Sequence, residues 1–274
     1  MSPRFSFSRV MFWVGIAFLY VPMLVLVVYS FNESRLVTVW AGFSGKWYGE
    51  LFQDQQIMTA VWRSLQLAFF SASTAVVLAI MGSLIMVRYH KFRGRGLFSG
   101  MITAPLVMPD VIIGLSMLLL FVAMGQMFGW PANRGMLTVW IAHTTFCLAY
   151  STIVISSRLR EMDRSLEEAS MDLGAGQIGT FFMVTFPIIS PAIVSAWLLS
   201  FTLSLDDVVI ASFVTGPGAT TLPIEIFSSV RLGVTPKINA LATLIIGAVS
   251  LVAIGSWYMT KRMNDRVSAQ LATS

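Results

Sequence analysis

Charge is scarce in this chain of 274 residues: Asp, Glu, Lys and Arg together make up 11% of it, where a soluble domain carries about 25%. That excludes an ordinary water-facing globule. Cysteine is almost absent, and the single Cys147 permits neither an intrachain disulfide nor a cysteine-based metal site. Histidine occurs only at His90, in a basic stretch, and at His143, in an apolar one. No metal ligand set can be drawn from two such residues, and His143 with Cys147 at i, i+4 is the only hint of a catalytic pair. The phosphate-cradling pattern G-x-x-x-x-G-K is also missing, so this chain is no P-loop ATPase. No internal repeat and no low-complexity linker divide it, and it reads as one membrane domain, 1–274, without catalytic residues.

What the chain has instead is length of apolar sequence. Hydrophobic residues are 56% of the total and the mean hydropathy is +0.78. A spanning helix needs roughly 20 mostly apolar residues, and the runs predict six, near 10–31, 64–87, 99–125, 135–157, 187–207 and 238–260. Prolines at 105, 109, 187 and 191 limit where the third and fifth can begin. Ser190 as cap with Pro191 as first residue is one opening for the fifth helix. The amino-terminal run has a basic start like a secretory signal, but it is too long and lacks a small-residue cleavage site, so it is read as the first span.

Lysine and arginine set the orientation. With the amino terminus inside, the inner side holds Arg4, Arg9, Arg88, Lys91, Arg93, Arg95, Arg158, Arg160, Arg164, Lys261, Arg262 and Arg266. The outer side holds Arg35, Lys46, Arg63, Arg134, Arg231 and Lys237. This bias places both termini in the cytoplasm and accounts for the pI near 9.7 without nucleic acid. In the longest outer loop, Trp40, Trp47 and Tyr48 are expected at the water-lipid interface. The loop around 88–96 is a basic connector facing anionic lipid.

The inner loop 158–186 is longer than six-helix packing requires. At helical spacing Leu166, Ala169, Ser170 and Leu173 share a face, Glu167, Glu168 and Met171 spread over the others, and Gly174 supplies a left-handed stop. Helices that lie on bilayers carry Lys or Arg opposite bulky apolar residues. This one sets acids against small residues, which favours a protein partner.

The same loop resembles the permease signature of binding-protein-dependent ABC importers: E-A-A, three residues, G, nine residues, I, one residue, L-P. The matching residues are Glu168, Ala169, Ser170 for the second alanine, Gly174, Val184 for isoleucine, Phe186 for leucine, and Pro187. The run SFTLSLDDVVIASFVTGPGATTLPIEIFSSVRLGVTPKINALATLI, with APLVMPDVIIG at 104–114, is similar to polyamine permeases of the putrescine and spermidine class, nearest the putrescine type. The resemblance covers nearly the whole chain. It implies an all-α membrane protein with the type I ABC importer permease fold in the bacterial inner membrane, importing polyamines by alternating access. It further implies a heterodimer with a second permease, two copies of a cytoplasmic ATPase that uses ATP and Mg, and a periplasmic polyamine-binding protein. No cofactor is expected in this chain itself. Glu168, Ala169, Ser170, Asp172 and Gly174 would then couple to the ATPase. The alternative reading is an ion-gradient-driven secondary transporter of small cations.

An ionisable residue inside a span costs about 2.5 to 3.5 kcal/mol on insertion scales, which singles out Asp110, Asp206 and Asp207. Neighbours on a helix point about 100° apart, so one of Asp206 and Asp207 is expected to face a cationic substrate. The bland reading is that one of them caps the segment from Val208 or pairs with an arginine. Asp110, beside Pro109, ranks lower, since it can serve backbone groups freed at a kink. His143 is read chiefly as an interhelical hydrogen-bond partner. The segment 208–233 is apolar yet broken by Gly216, Pro217 and Gly218. It is expected to re-enter the membrane and line an outer gate, with a short helix started by Thr221 and Pro223 and stopped by Gly233; an interfacial helix is the alternative.

Overall fold

The computed structural model describes residues 7–36, 39–89, 91–233 and 235–272. Arg4, His90 and the side chains of Lys261, Arg262 and Arg266 lie outside the described residues. Among the described residues the regular secondary structure is helical, apart from an isolated bridge between Asn32 and Phe43. In order the helices are α1 (Phe7–Tyr29), α2 (Lys46–Gln53), α3 (Gln55–Arg88), α4 (Arg95–Val107), α5 (Asp110–Phe128) and α6 (Met136–Glu161). Then follow α7 (Ser165–Asp172), α8 (Gln177–Thr180), a π-helical turn (Phe181–Thr185), α9 (Phe186–Asp206), α10 (Val209–Val214), α11 (Leu222–Leu232) and α12 (Pro236–Ala272). Among the described residues, five segments are long and apolar enough to cross a membrane: α1, α3, α5, α6 and the continuous stretch Gln177–Asp206. The expected sixth, 238–260, falls within α12, whose apolar portion is Pro236–Leu251.

The third expected span, 99–125, is not a single helix. α4 stops at Val107 because Pro109 has no N–H to continue the ladder and pushes Met108 into an extended conformation, φ −77° and ψ 136°. α5 then restarts at Asp110. The fifth helix also departs from expectation. Ser190 does not cap it; its hydroxyl donates to the Pro187 carbonyl at 2.9 Å from inside a helix already under way. Pro187 stands where the π-helical turn passes into α9, and the fifth helix is continuous with the segment that starts at Gln177.

Contacts gather into two compact units, one comprising the chain up to Met58 together with Ser228 onward, the other Thr59–Phe227. In the first, α12 packs on α1 and α2. The loop before α2 is organised by buried Asn32, whose Nδ2 donates to the Val39 carbonyl at 2.8 Å while Oδ1 accepts the Ala41 N–H at 3.0 Å. Trp47 is 3% exposed and donates to the Asn32 carbonyl at 2.6 Å. The expectation of an interfacial Trp47 is therefore corrected: its indole is the floor of the loop. Trp40 remains exposed and packs edge-on against Tyr29.

Lys237, at the start of α12, meets Asp54 at 2.9 Å, and Asp54 also accepts the Ile57 and Gln56 N–H groups that open α3. The Lys237 ammonium, aided by those amides, holds the Asp54 carboxyl below the usual carboxylate range. A depressed acid contributes stability above its unfolded-state pKa and loses it as pH falls through the folded one. Thermal stability of the detergent-solubilised protein should accordingly drop as pH is lowered below about 4. Asp54→Asn should reduce that acid sensitivity, and a melting curve at pH 3 to 7 with an unchanged acid limb in the variant would count against the clamp.

In the second unit α6 is central, packed along α9 and also against α4, α5 and α10. Helices in lipid gain nothing from excluding water between them, so small residues and interhelical hydrogen bonds hold them together, each bond worth about 0.6 kcal/mol. The α6–α9 seam follows that rule. Ser151 and Ser200 share a hydrogen bond of 2.6 Å, Cys147 Sγ donates to the Ser200 carbonyl at 3.4 Å, and buried Ala142, Ala149 and Ala196 permit close approach. Ser83 of α3 joins through the Thr152 carbonyl and the Ser156 hydroxyl, both at 3.1 Å.

Candidate functional site

The loop after α6 begins with Asp163, whose carboxylate accepts the Ser165 N–H at 3.0 Å and is lowered in pKa by it. This i, i+2 bond turns the backbone just ahead of α7, whose cap position is Arg164. At the other end Gly174 takes φ +90°, while its N–H reaches the Met171 carbonyl and that of Ala175 reaches Ser170. The left-handed residue closes the helix as the sequence requires. Around Gly174 there is open space, and Leu173 beside it is 90% exposed. Glu168, Ala169 and Asp172 are likewise exposed, as is Leu166. Of the predicted face, only Ser170 turns inward, 3.3 Å from Thr180 Oγ1.

Glu167 behaves unlike its neighbour. Its Oε1 lies 2.5 Å from Arg88 Nη2 at the end of α3 and accepts the Thr185 hydroxyl from the π-helical turn, also at 2.5 Å. Arg164 adds a bond of 2.9 Å to the Val87 carbonyl. Beside this cluster lies an apolar cavity of about 700 Å³, whose walls include Leu84, Tyr89, Phe181 and Phe182. Sequence reasoning assigned no separate role to Glu167, Arg88 or Thr185. The available signal was an EE pair on a helix, one member of which must turn away from the other.

At the far end of α9 the two acids are separated by the fold. Asp206 is the last helical residue and is exposed; among the described residues it forms no ion pair. Asp207 turns into the protein. Its Oδ2 accepts the Ala211 N–H at 2.7 Å and its Oδ1 the Ile210 N–H at 3.2 Å, capping α10. His143 Nε2 of α6 lies 3.2 Å from the same Oδ2, while His143 Nδ1 bonds Ser204 Oγ at 2.8 Å. The His143 and Asp207 side chains are only 2% and 8% exposed. A carboxylate inside a span must be compensated, and Asp207 has its compensation from protein. Measured from Phe186, Asp206 stands about 30 Å along the helix axis at 1.5 Å per residue, farther than an opening at Pro191 predicts.

Asp110 is exposed in the first turn of α5, where a negative charge favours the helix dipole. The structure does not bring it into the Asp207–His143 cluster. α10 packs tightly on α5, so that a Cβ at Gly114 would stand 2.7 Å from the Phe213 ring and 3.2 Å from the Ile210 backbone. Thr138 holds the Val214 carbonyl at 2.7 Å and Arg134 that of Phe213 at 3.2 Å. At Gly216 a Cβ would lie 2.0 Å from the Arg134 carbonyl oxygen, so no side chain fits there. α11 then starts where the Leu222 N–H meets Ser64 Oγ at 2.7 Å, and Gly233, φ +120°, follows its end.

Long apolar helices, a hydroxyl-bonded seam between α6 and α9, and a short helix in the loop after α6 are the features of a membrane permease. Solved structures share the fold: a chain of a bacterial ABC transporter involved in the import of the acidic polysaccharide alginate aligns with TM-score 0.65 and 17% identity over 95% of this chain and 99% of that one. A chain of the MetNI methionine transporter aligns with TM-score 0.58 and 16% identity over 73% and 91%. The chain belongs to the family of binding-protein-dependent transport system inner membrane components, whose model matches residues 75–266. It is 62% identical to the putrescine transport system permease protein PotI of Escherichia coli (strain K12), over 94% of this chain and 92% of that protein. It is 40% identical to the spermidine/putrescine transport system permease protein PotC of Haemophilus influenzae, over 95% and 99%. It is thus a multi-pass inner-membrane transport permease, not an enzyme.

Proposed function

We propose that this chain is one permease subunit of an ATP-driven importer of polyamines, with putrescine as its principal substrate. The observation that carries the reading is the 62% identity to a putrescine permease across almost the full length of both chains. It is supported by the exposed carboxylate of Asp206, which, unlike Asp207, is left available to an ammonium group. In this reading six spans place both termini in the cytoplasm and the single permease domain pairs with a second, related permease. The face presented by Glu168, Ala169, Asp172 and Gly174, with Ser170 bracing it from behind, seats on a cytoplasmic ATPase. Two copies of that ATPase consume ATP and Mg, while a periplasmic polyamine-binding protein delivers the substrate. Alternating access follows when movement of the loop is passed to the spanning helices. The 208–233 segment, pinned by Thr138, Arg134 and Ser64, borders the outer gate, with Asp206 at its root and Asp110 a second acid on the path.

Proteoliposomes containing the complete importer provide the test. Labelled putrescine should enter only with ATP and the binding protein, and diamines of similar length should compete. Uptake driven by an ion gradient with no ATPase present would replace this reading by a secondary transporter.

A further inference from the structure

We infer that Glu167 is the branch point that ties the loop helix to the spanning helices, and that Glu167, Arg88 and Thr185 are positioning residues for coupling. The inference rests on the coupling role proposed above for α7. That helix has no buried residue, so apolar packing does not fix its orientation. What fixes it is polar: one carboxylate oxygen of Glu167 receives Arg88 from the end of α3 and Thr185 from the turn that opens into α9. The Arg164 bond to Val87 and the Ser170 contact with Thr180 brace the same two directions. A displacement of α7 must therefore carry both helices or break these bonds.

The route beyond the branch is stiff. α9 is bonded to α6 through Ser151–Ser200 and His143–Ser204, and it runs without interruption to Asp206. Thr185 sits in the five-residue π-helical turn, a local widening often found at functional sites. Arg88 retains two buried donors, Nε and Nη1, with no partner among the described residues. They give the guanidinium a second way to hold the carboxylate as α7 turns, which a two-position joint requires.

The test uses the complete importer in proteoliposomes, with three measurements: ATPase bound per permease, ATP hydrolysis stimulated by loaded binding protein, and putrescine moved per ATP. Glu167→Gln and Arg88→Gln should retain ATPase binding and hydrolysis while transport per ATP falls about tenfold, the scale set by losing one charge-assisted hydrogen bond. The double variant should be no worse than Glu167→Gln alone, because both changes break the same joint. Arg88→Lys should recover part of the loss. Unchanged transport per ATP in Glu167→Gln overturns the inference; so does loss of ATPase binding, which would make Glu167 part of the docking surface. If Glu167→Gln fails to fold, Thr185→Val removes one donor at the branch, and normal coupling there overturns it as well. Wild-type uptake without the ATPase would instead sink the coupling reading itself.

Discussion

Asp207→Ala is expected to destabilise the protein by about 1 to 3 kcal/mol for each buried group left without its partner, whereas Asp206→Ala should change stability little. The difference follows from geometry. Asp207 holds two N–H groups of α10 and faces His143, so its loss orphans all three. Asp206 has none of these contacts and is exposed. For transport the order reverses in its cause: Asp206→Asn should lower putrescine uptake roughly tenfold at limiting substrate, the scale of one charged hydrogen bond, while leaving the amount of folded permease intact. Thermal unfolding in detergent and uptake by the same preparations separate the two effects. Normal uptake in Asp206→Asn would move the cation site elsewhere on the path.

Gly174→Val should abolish ATPase assembly and reduce uptake to under about a tenth. Its φ of +90° is a region that costs a non-glycine residue on the order of 1 to 3 kcal/mol, most of all one branched at Cβ. The site has open space around it, so strain and surface bulk, not a clash within this chain, carry the effect. Gly174→Asn tests this directly, because asparagine enters left-handed conformations more readily. Asn should retain clearly more ATPase than Val when the complexes are purified, with substrate capture by the binding protein unchanged in both. Equal loss in the two variants would assign the effect to bulk alone.

Much of this architecture is local in origin and therefore legible along the chain. The apolar runs give the spanning helices, Gly174 and Gly233 stop helices where left-handed backbone is needed, and α7 lies where its spacing puts it. Other features depended on residues far away. Trp47 looks like any interfacial tryptophan until Asn32 folds over to accept its N–H. The break at Met108 was signalled by Pro109, but a proline in an apolar run is equally compatible with a kinked single helix, as Pro191 within α9 demonstrates.

The sequence by itself determined membrane residence, the helical class, the short helix in the loop after α6 and the candidate acids, because hydropathy, period and backbone preference act over a few residues. Only the tertiary structure decided between adjacent acids. Glu167 and Glu168, like Asp206 and Asp207, are chemically the same pair in the sequence. Arg88 claims Glu167 from 79 residues away, and His143 with the α10 amides claims Asp207. A charge leaves water for low dielectric only where its partners converge on it, and that convergence exists only once the helices have packed.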